Sequence, residues 1–339
     1  MKSGWTEFHS RTLFRFLRIR VAPFLCLAMH TTFLAAQEPS AVRSPNIRVE
    51  VDRVNVGVIV TDSKGNFVEG LQQRDFEVLD AGTPQLITDF APIDAPAQVL
   101  MLLEVGPAVY MLQDSHLYVA QTLLNGLSAG DRVAIAVYND APTALLNYTT
   151  DKGSVTAALN EIQFNLGYGN LNLATSLNTV LDWLARVSGK KSVVLLSSGV
   201  DTSPTQDMQS LLPRLETGDV RIFSISMSGP LRNGTKGTKQ EIQQTQQAFA
   251  QADAWLQAMS EASGGRAYFP ESAKAFQETY TQVAQLLRHE YSVAFAPPKA
   301  DGTAHAIDVK VHKNEGSATT PDYRVDHRRG YIAPKPSAQ

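Results

Sequence analysis

Residues 99–108 read Val-Leu-Met-Leu-Leu-Glu-Val-Gly-Pro-Ala, an apolar run that ends in a loop. An acid at the end of a buried strand, followed by small residues, is the frame of a metal-binding Asp-x-Ser-x-Ser loop. Such a loop offers a divalent cation one carboxylate and two hydroxyls, all hard oxygens. This chain holds Glu104, Gly106 and Ala108 in that frame. Both hydroxyls are gone and the carboxylate has grown by one methylene. Mg²⁺ sheds its water reluctantly and demands an octahedral set, so this loop is expected to hold no metal.

Other residue types that do chemistry fall in weaker patterns. Ser197-Ser198-Gly199 follows an apolar run, as a hydrolase nucleophile would, but Leu195 and Leu196 stand where a Gly-x-Ser-x-Gly frame needs its first glycine. A serine nucleophile also needs an imidazole, and no histidine occurs between His116 and His289. Gly167-Tyr168-Gly169 lacks the third glycine of a dinucleotide fingerprint, and no Gly-Lys-Ser/Thr phosphate loop occurs. No cofactor is therefore expected. His289, His305, His312 and His327 follow no metal-ligand spacing. Tyr110 and Tyr168 fall in loops where an aromatic side chain can anchor a partner. Lys310, Lys313, Arg328 and Arg329 form a modest basic patch that reads as a solvated face.

Composition narrows the classes further. The chain has 339 residues, 43% hydrophobic and 19% charged, with a net charge of −3. That suits a globular protein and gives no basic field for nucleic acid. Residues 1–36 stand apart. Arg11, Arg15, Arg18 and Arg20 precede an apolar run from Val21 to Ala36 that ends in small residues. This is the pattern of a secretory signal, so the mature protein is expected to be periplasmic or extracellular; an uncleaved signal would leave it anchored. Cys26, the only cysteine, lies inside that segment, which leaves no thiol chemistry after cleavage.

The elements that must position these residues follow from periodicity. Residues 37–46 carry two prolines and read as a linker. Residues 47–93 alternate Val and Ile with other residues and form a β segment too short to bury a core alone. Residues 97–288 alternate apolar strands with amphipathic helices. Strands are expected at 99–103, 133–138, 191–196, 220–225 and 267–269. Helices are expected at 112–127, 155–162, 173–184, 211–217, 240–262 and around 276–287. That alternation implies a doubly wound, mainly parallel α/β sheet covered on both faces, with ligands beyond the carboxyl ends of its strands. The loops to watch are 104–110, 138–143, 167–172 and 197–205. Residues 289–334 return to β, and the two flanks are expected to pair into one small β-sandwich-like unit.

Several stretches carry a resemblance. Residues 58–65 (Val-Ile-Val-Thr-Asp-Ser-Lys-Gly) and 75–82 (Asp-Phe-Glu-Val-Leu-Asp-Ala-Gly) belong to it, as do 130–134 (Gly-Asp-Arg-Val-Ala) and 196–202 (Leu-Ser-Ser-Gly-Val-Asp-Thr). So do 263–269 (Ser-Gly-Gly-Arg-Ala-Tyr-Phe) and 328–334 (Arg-Arg-Gly-Tyr-Ile-Ala-Pro). In order and spacing they resemble the von Willebrand factor A-related family of exported bacterial proteins, of the acidobacterial type. The resemblance spans roughly residues 47–334. It implies a von Willebrand A fold and a binding role rather than a catalytic one.

Members of that family with a working metal site add a Thr from a second loop and an Asp from a third. Here Leu171 falls about where the Thr belongs, between Asn170 and Asn172, and Ser198 stands where the Asp belongs. The expected protein is thus a non-enzymatic interaction module with a degenerate metal site. It meets an unidentified protein or cell-surface partner through Glu104, Tyr110, Asn170, Asn172, Ser198 and Asp201. One alternative is metal-dependent adhesion through a site rebuilt from Glu104, Asn172, Ser198 and Asp201. Another is hydrolysis by Ser198.

Overall fold

The computed structural model describes residues 53–335 apart from 111–112, 165–169, 203–204 and 313–321. The signal and linker expected over 1–46, Cys26 and Gly167-Tyr168-Gly169 lie outside the described residues. In chain order the first elements are β1 (Val54–Thr61), β2 (Phe76–Asp80), β3 (Thr83–Gln85), β4 (Ile87–Asp94) and β5 (Gln98–Glu104). Next come α1 (Pro107–Tyr110), α2 (Gln113–Gly126), β6 (Arg132–Tyr138), β7 (Pro142–Thr149), α3 (Lys152–Asn160), α4 (Leu173–Leu184) and β8 (Lys191–Ser197). Then follow α5 (Thr205–Thr217), β9 (Val220–Ser226), α6 (Ser228–Gly234), α7 (Lys239–Ala262), β10 (Arg266–Tyr268) and α8 (Ala273–Leu286). The last are β11 (His289–Phe295), β12 (Ala304–Val311), β13 (Arg324–Asp326) and β14 (Gly330–Ile332).

The central sheet has six strands in the order β10-β9-β8-β5-β6-β7. All neighbours are parallel except β7, which runs antiparallel to β6 at one edge. β5 and β8 are buried along nearly their whole length, as strands covered on both faces must be. One face packs on α2, α3 and α8 through Leu123, Val155 and Tyr280. The other packs on α4, α5 and α7 through Leu177, Leu211 and Leu256. The spacing of four, four and three along Leu173, Leu177, Leu181 and Leu184 puts all four on the buried face of α4. Trp183 and Trp255 pack against the same cluster.

The chain enters this sheet at β5, goes out to β6 and β7, and returns to β8 on the other side of β5. The order therefore reverses about β5, the point beyond whose carboxyl end sheets of this kind place their ligands. Glu104 ends β5, in register with Tyr138 of β6.

Strands from both flanks make two antiparallel four-stranded sheets, β13-β1-β11-β4 and β14-β12-β2-β3. Their inner faces share one core, with Val56 and Val58 of β1, Phe76 and Val78 of β2, Tyr291 of β11, Val309 of β12 and Tyr331 of β14. Neither flank forms a sheet alone, which follows from how little apolar surface each carries. Two ion-pair systems tie this sandwich to the central sheet. Arg266 of β10 pairs with Asp326 of β13 and donates to Thr61 Oγ1 at 3.0 Å. Arg221 of β9 donates to Glu290 Oε2 at 2.8 Å and to the Gly57 carbonyl at 2.9 Å.

Candidate functional site

The parallel register sets the carboxyl ends of β5, β6 and β8 side by side. Three residues at those ends converge on the Glu104 carboxylate, which is fully buried. Ser198 donates its backbone N–H to Oε2 at 2.7 Å and its hydroxyl to Oε1 and Oε2 at 3.0 and 2.9 Å. Ser197 Oγ lies 3.0 Å from Oε2, and Tyr138 Oη lies 3.3 Å from it. Tyr138 and Ser197 share a 2.7 Å contact. Ser197 Oγ accepts the Gly199 N–H at 2.8 Å, and Ser198 Oγ accepts the Val200 N–H at 3.3 Å. Both hydroxyl protons are thereby directed to acceptors in the cluster.

Burial pushes the Glu104 carboxyl above its ordinary range, while the bonds from Ser198, Ser197 and Tyr138 pull it back. Burial and the nearby Glu104 charge hold the Tyr138 phenol well above its ordinary value. The carboxylate that the sequence marks as a remnant metal ligand is here the acceptor at the centre of a protein network.

The space above the first loop is filled. A Cβ built on Gly106 would lie 2.4 Å from Leu171 Cδ2 and 3.3 Å from its Cγ. Leu171 is 5% exposed. Its backbone is clamped by Thr202, whose N–H donates to the Leu171 carbonyl at 2.7 Å while its Oγ1 accepts the Leu171 N–H at 2.9 Å. The next residue, Asn172, donates its N–H to the Asn139 carbonyl at 2.8 Å and its side-chain amide to Asp140. Asp201 reaches across to the first turn of α4, where Oδ2 accepts the Ala174 N–H at 3.0 Å. A carboxylate there meets the positive end of the helix dipole. Three loops from distant parts of the chain are thus laced together.

The six residues singled out from the sequence separate into three groups. Glu104 and Ser198 are in direct contact and fully buried, so they frame the loops from inside. Asn172 and Asp201 are half-buried and bind the neighbouring loop and helix. Tyr110, half-buried at the end of α1, and Asn170, exposed, lie on the rim outside the Glu104 cluster. Exposed Asp140 and Thr202 join that rim.

Sequence reasoning missed Tyr138 and Ser197 as members of the cluster, and Leu171 as its cover. The apolar strand ahead of Tyr138 was legible, but its pairing with Glu104 is a matter of register. A second polar cluster also escaped notice. Ser226 and Ser228 donate to Asp253 Oδ1 at 3.0 and 2.8 Å, and Arg232 pairs with Asp253 Oδ2 at 2.9 Å, which fixes α6 to α7. Among the described residues no group of three or more His, Cys, Asp or Glu side chains converges to hold a metal. The Ser198 hydroxyl donates to Glu104 rather than to an imidazole, and the four described histidines after α8 lie in or beside sandwich strands.

Residues 117–282 match the family model described as the von Willebrand factor type A domain. The match begins after β5 and its loop. No curated protein matches the chain. Among solved structures, the chain resembles a von Willebrand factor type A protein from Catenulispora acidiphila at 10% identity, covering 78% of this chain and 76% of that one, with a TM-score of 0.44. An aerotolerance-related membrane protein from Bacteroides fragilis, carrying multiple mutations to serine, matches at 12% identity over 56% of this chain and 98% of that one, with a TM-score of 0.42. The conserved hypothetical protein BatB from Bacteroides thetaiotaomicron matches at 13% identity over the same shares, with a TM-score of 0.41.

Proposed function

Residues 117–282 are a von Willebrand factor type A domain, and from that premise we propose that the chain is an exported binding protein that engages a protein or cell-surface partner without a divalent cation. The partner meets the loops at the carboxyl end of the central sheet, on the rim formed by Tyr110, Asp140, Asn170 and Thr202. The chain works as an interaction module and not as an enzyme. The basic, then apolar, N-terminal segment supports export. Among the described residues no helix is long and apolar enough to cross a membrane.

One observation carries the metal-free reading. Glu104 takes its hydrogen bonds from Ser197, Ser198 and Tyr138, while Leu171 fills the space over Gly106. A cation entering there would have to break a satisfied buried network and displace a buried leucine, both costly steps. On that rim Asp140 and Thr202 are held by cross-loop bonds to Asn172 and Leu171, which lowers the entropy lost on binding there.

The test is capture of envelope-fraction proteins from the source cell on the immobilised full chain, in EDTA and in Mg²⁺. The same partner is expected in both buffers, with loss in a Tyr110→Ala/Asn170→Ala double variant. Capture that requires Mg²⁺ and disappears in Glu104→Ala would replace this reading with metal-dependent adhesion.

A further inference from the structure

At the opposite end of the central sheet lies a cleft of about 500 Å³ between the starts of β8 and β9 and the sandwich. β8 runs its seven residues from Lys191 at this end to Ser197 at the other, about 20 Å at the usual rise of a strand. Lys190, Lys191, Arg221 and Arg328 line the cleft, against the two carboxylates of Asp219 and Glu290. The carboxylates are already engaged. Lys191 Nζ takes Asp219 Oδ2 at 2.7 Å, and Arg221 Nη1 takes Glu290 Oε2 at 2.8 Å. Lys190, half-buried, forms an ion pair with that same Glu290 oxygen at 3.4 Å, but its Nζ, itself shielded from solvent, completes no hydrogen bond. The Nε atoms of Arg221 and Arg328 are also buried without a hydrogen-bond partner. Arg328 directs its terminal nitrogens to the carbonyls of Asn55, Thr217 and Gly218, so its charge meets no carboxylate within hydrogen-bond reach.

We propose that this cleft binds a compact oxyanion, a sulfate- or phosphate-like group, with Lys190 as its principal contact. Four cations face two carboxylates here, with shielded donors left unused at Lys190, Arg221 and Arg328, and charge-assisted bonds from such donors to an added anion are the strong kind. Gly57 lines the same cleft at the point where a Cβ would crowd the Glu290 carboxylate and the Arg221 guanidinium. Burial brings the Lys190 ammonium down to about 8, against the opposing pull of Glu290 and with a further lowering from Arg221. An anion beside Lys190 would relieve that strain by favouring the charged form. The site is independent of the loops at the other end of the sheet and stands whether or not they bind a partner.

The experiment is calorimetric titration of the full chain with sodium sulfate, against sodium chloride at matched ionic strength. The expected result is saturable one-site sulfate binding that weakens at least tenfold in Lys190→Met and is retained in Lys190→Arg. Lys274→Met, which removes an exposed lysine on α8, is expected to bind as the parent does. Lys190→Met is checked for folding by its melting curve, and Lys190→Arg keeps the test valid should the methionine variant unfold. No saturable heat in the parent chain, or equal affinity in the parent and in a folded Lys190→Met, overturns the proposal. Parallel titrations with inorganic phosphate and phenyl phosphate distinguish a free ion from a group carried on a larger molecule. Tighter binding of the ester identifies the latter source, and tighter binding of the free ion the former.

Discussion

Replacing Glu104 with Asp restores the acid that working metal loops of this family carry, and it should destabilise the protein. The side chain loses one methylene, which draws the carboxylate back by about 1.5 Å, one carbon–carbon bond. The contacts now at 2.7–3.0 Å from Ser197 and Ser198 then exceed 4 Å, beyond hydrogen-bond reach. The two hydroxyls can turn toward Tyr138 and recover part of the loss. The Ser198 N–H cannot turn, and it stays buried without an acceptor. A hydrogen bond to a charged group contributes about 1.5–3 kcal/mol, and an orphaned buried donor costs about 1–3 kcal/mol. With hydroxyl recovery the net loss is about 3 kcal/mol, or about 5 °C in melting temperature for a fold of this size. Calorimetric melting in EDTA and in millimolar Mg²⁺ reads it out. An Asp variant that melts with the parent, or one that Mg²⁺ restores, would refute the reasoning.

Other perturbations test neighbouring parts of the account. Gly106→Ala drives a methyl into Leu171 and should cost about 1–2 kcal/mol. In a Leu171→Ala background that cost should vanish, and strict additivity in the double-mutant cycle of urea melts would show that Leu171 does not cover Gly106. Asp326→Ala strands the buried Arg266 guanidinium between sheet and sandwich and should cost about 3–5 kcal/mol, whereas Arg266→Met/Asp326→Leu together should recover most of it. The bond from Asp80, with further help from Asp301, raises His305, so its contribution is fully present below about 6.5 and is lost as pH rises through the folded value. His305→Gln should flatten that alkaline limb in melts across pH 5–9. Burial lowers His327, which accepts the Val309 N–H through Nε2, so stability there is lost as pH falls below about 6.5.

The α/β alternation was legible because strands covered on both faces must be almost wholly apolar, as Val99–Leu103 and Val193–Leu196 are. The pairing of the flanks was legible from the alternating valines of β1 and the shortness of each segment. β7 was not foreseen. It is an antiparallel edge strand with Leu145 42% exposed and two register shifts against β6, so it shows neither an apolar run nor a clean alternation. α6 was not foreseen either: Gly229 and Pro230 in its first turn are residue types that punctuate loops, and the helix is only seven residues long. At the site, the missing hydroxyls and the odd Leu171 were legible from residue types alone. The consequence was not, because Glu104, Tyr138 and Ser198 meet only through strand register and Leu171 reaches Gly106 only through its loop bonds to Thr202. The basic cleft was hidden for the same reason, since its cations come from β9, the start of β8 and the segment before β14.

The central claim is that protein donors, and not a cation, satisfy Glu104. Isothermal titration of the chelator-treated full chain with Mg²⁺ and with Mn²⁺ tests it most directly. The account predicts no saturable heat and an unchanged melting temperature at millimolar metal. Saturable binding that is lost in Glu104→Ala would contradict it and mean that these loops open to form a metal site from other ligands.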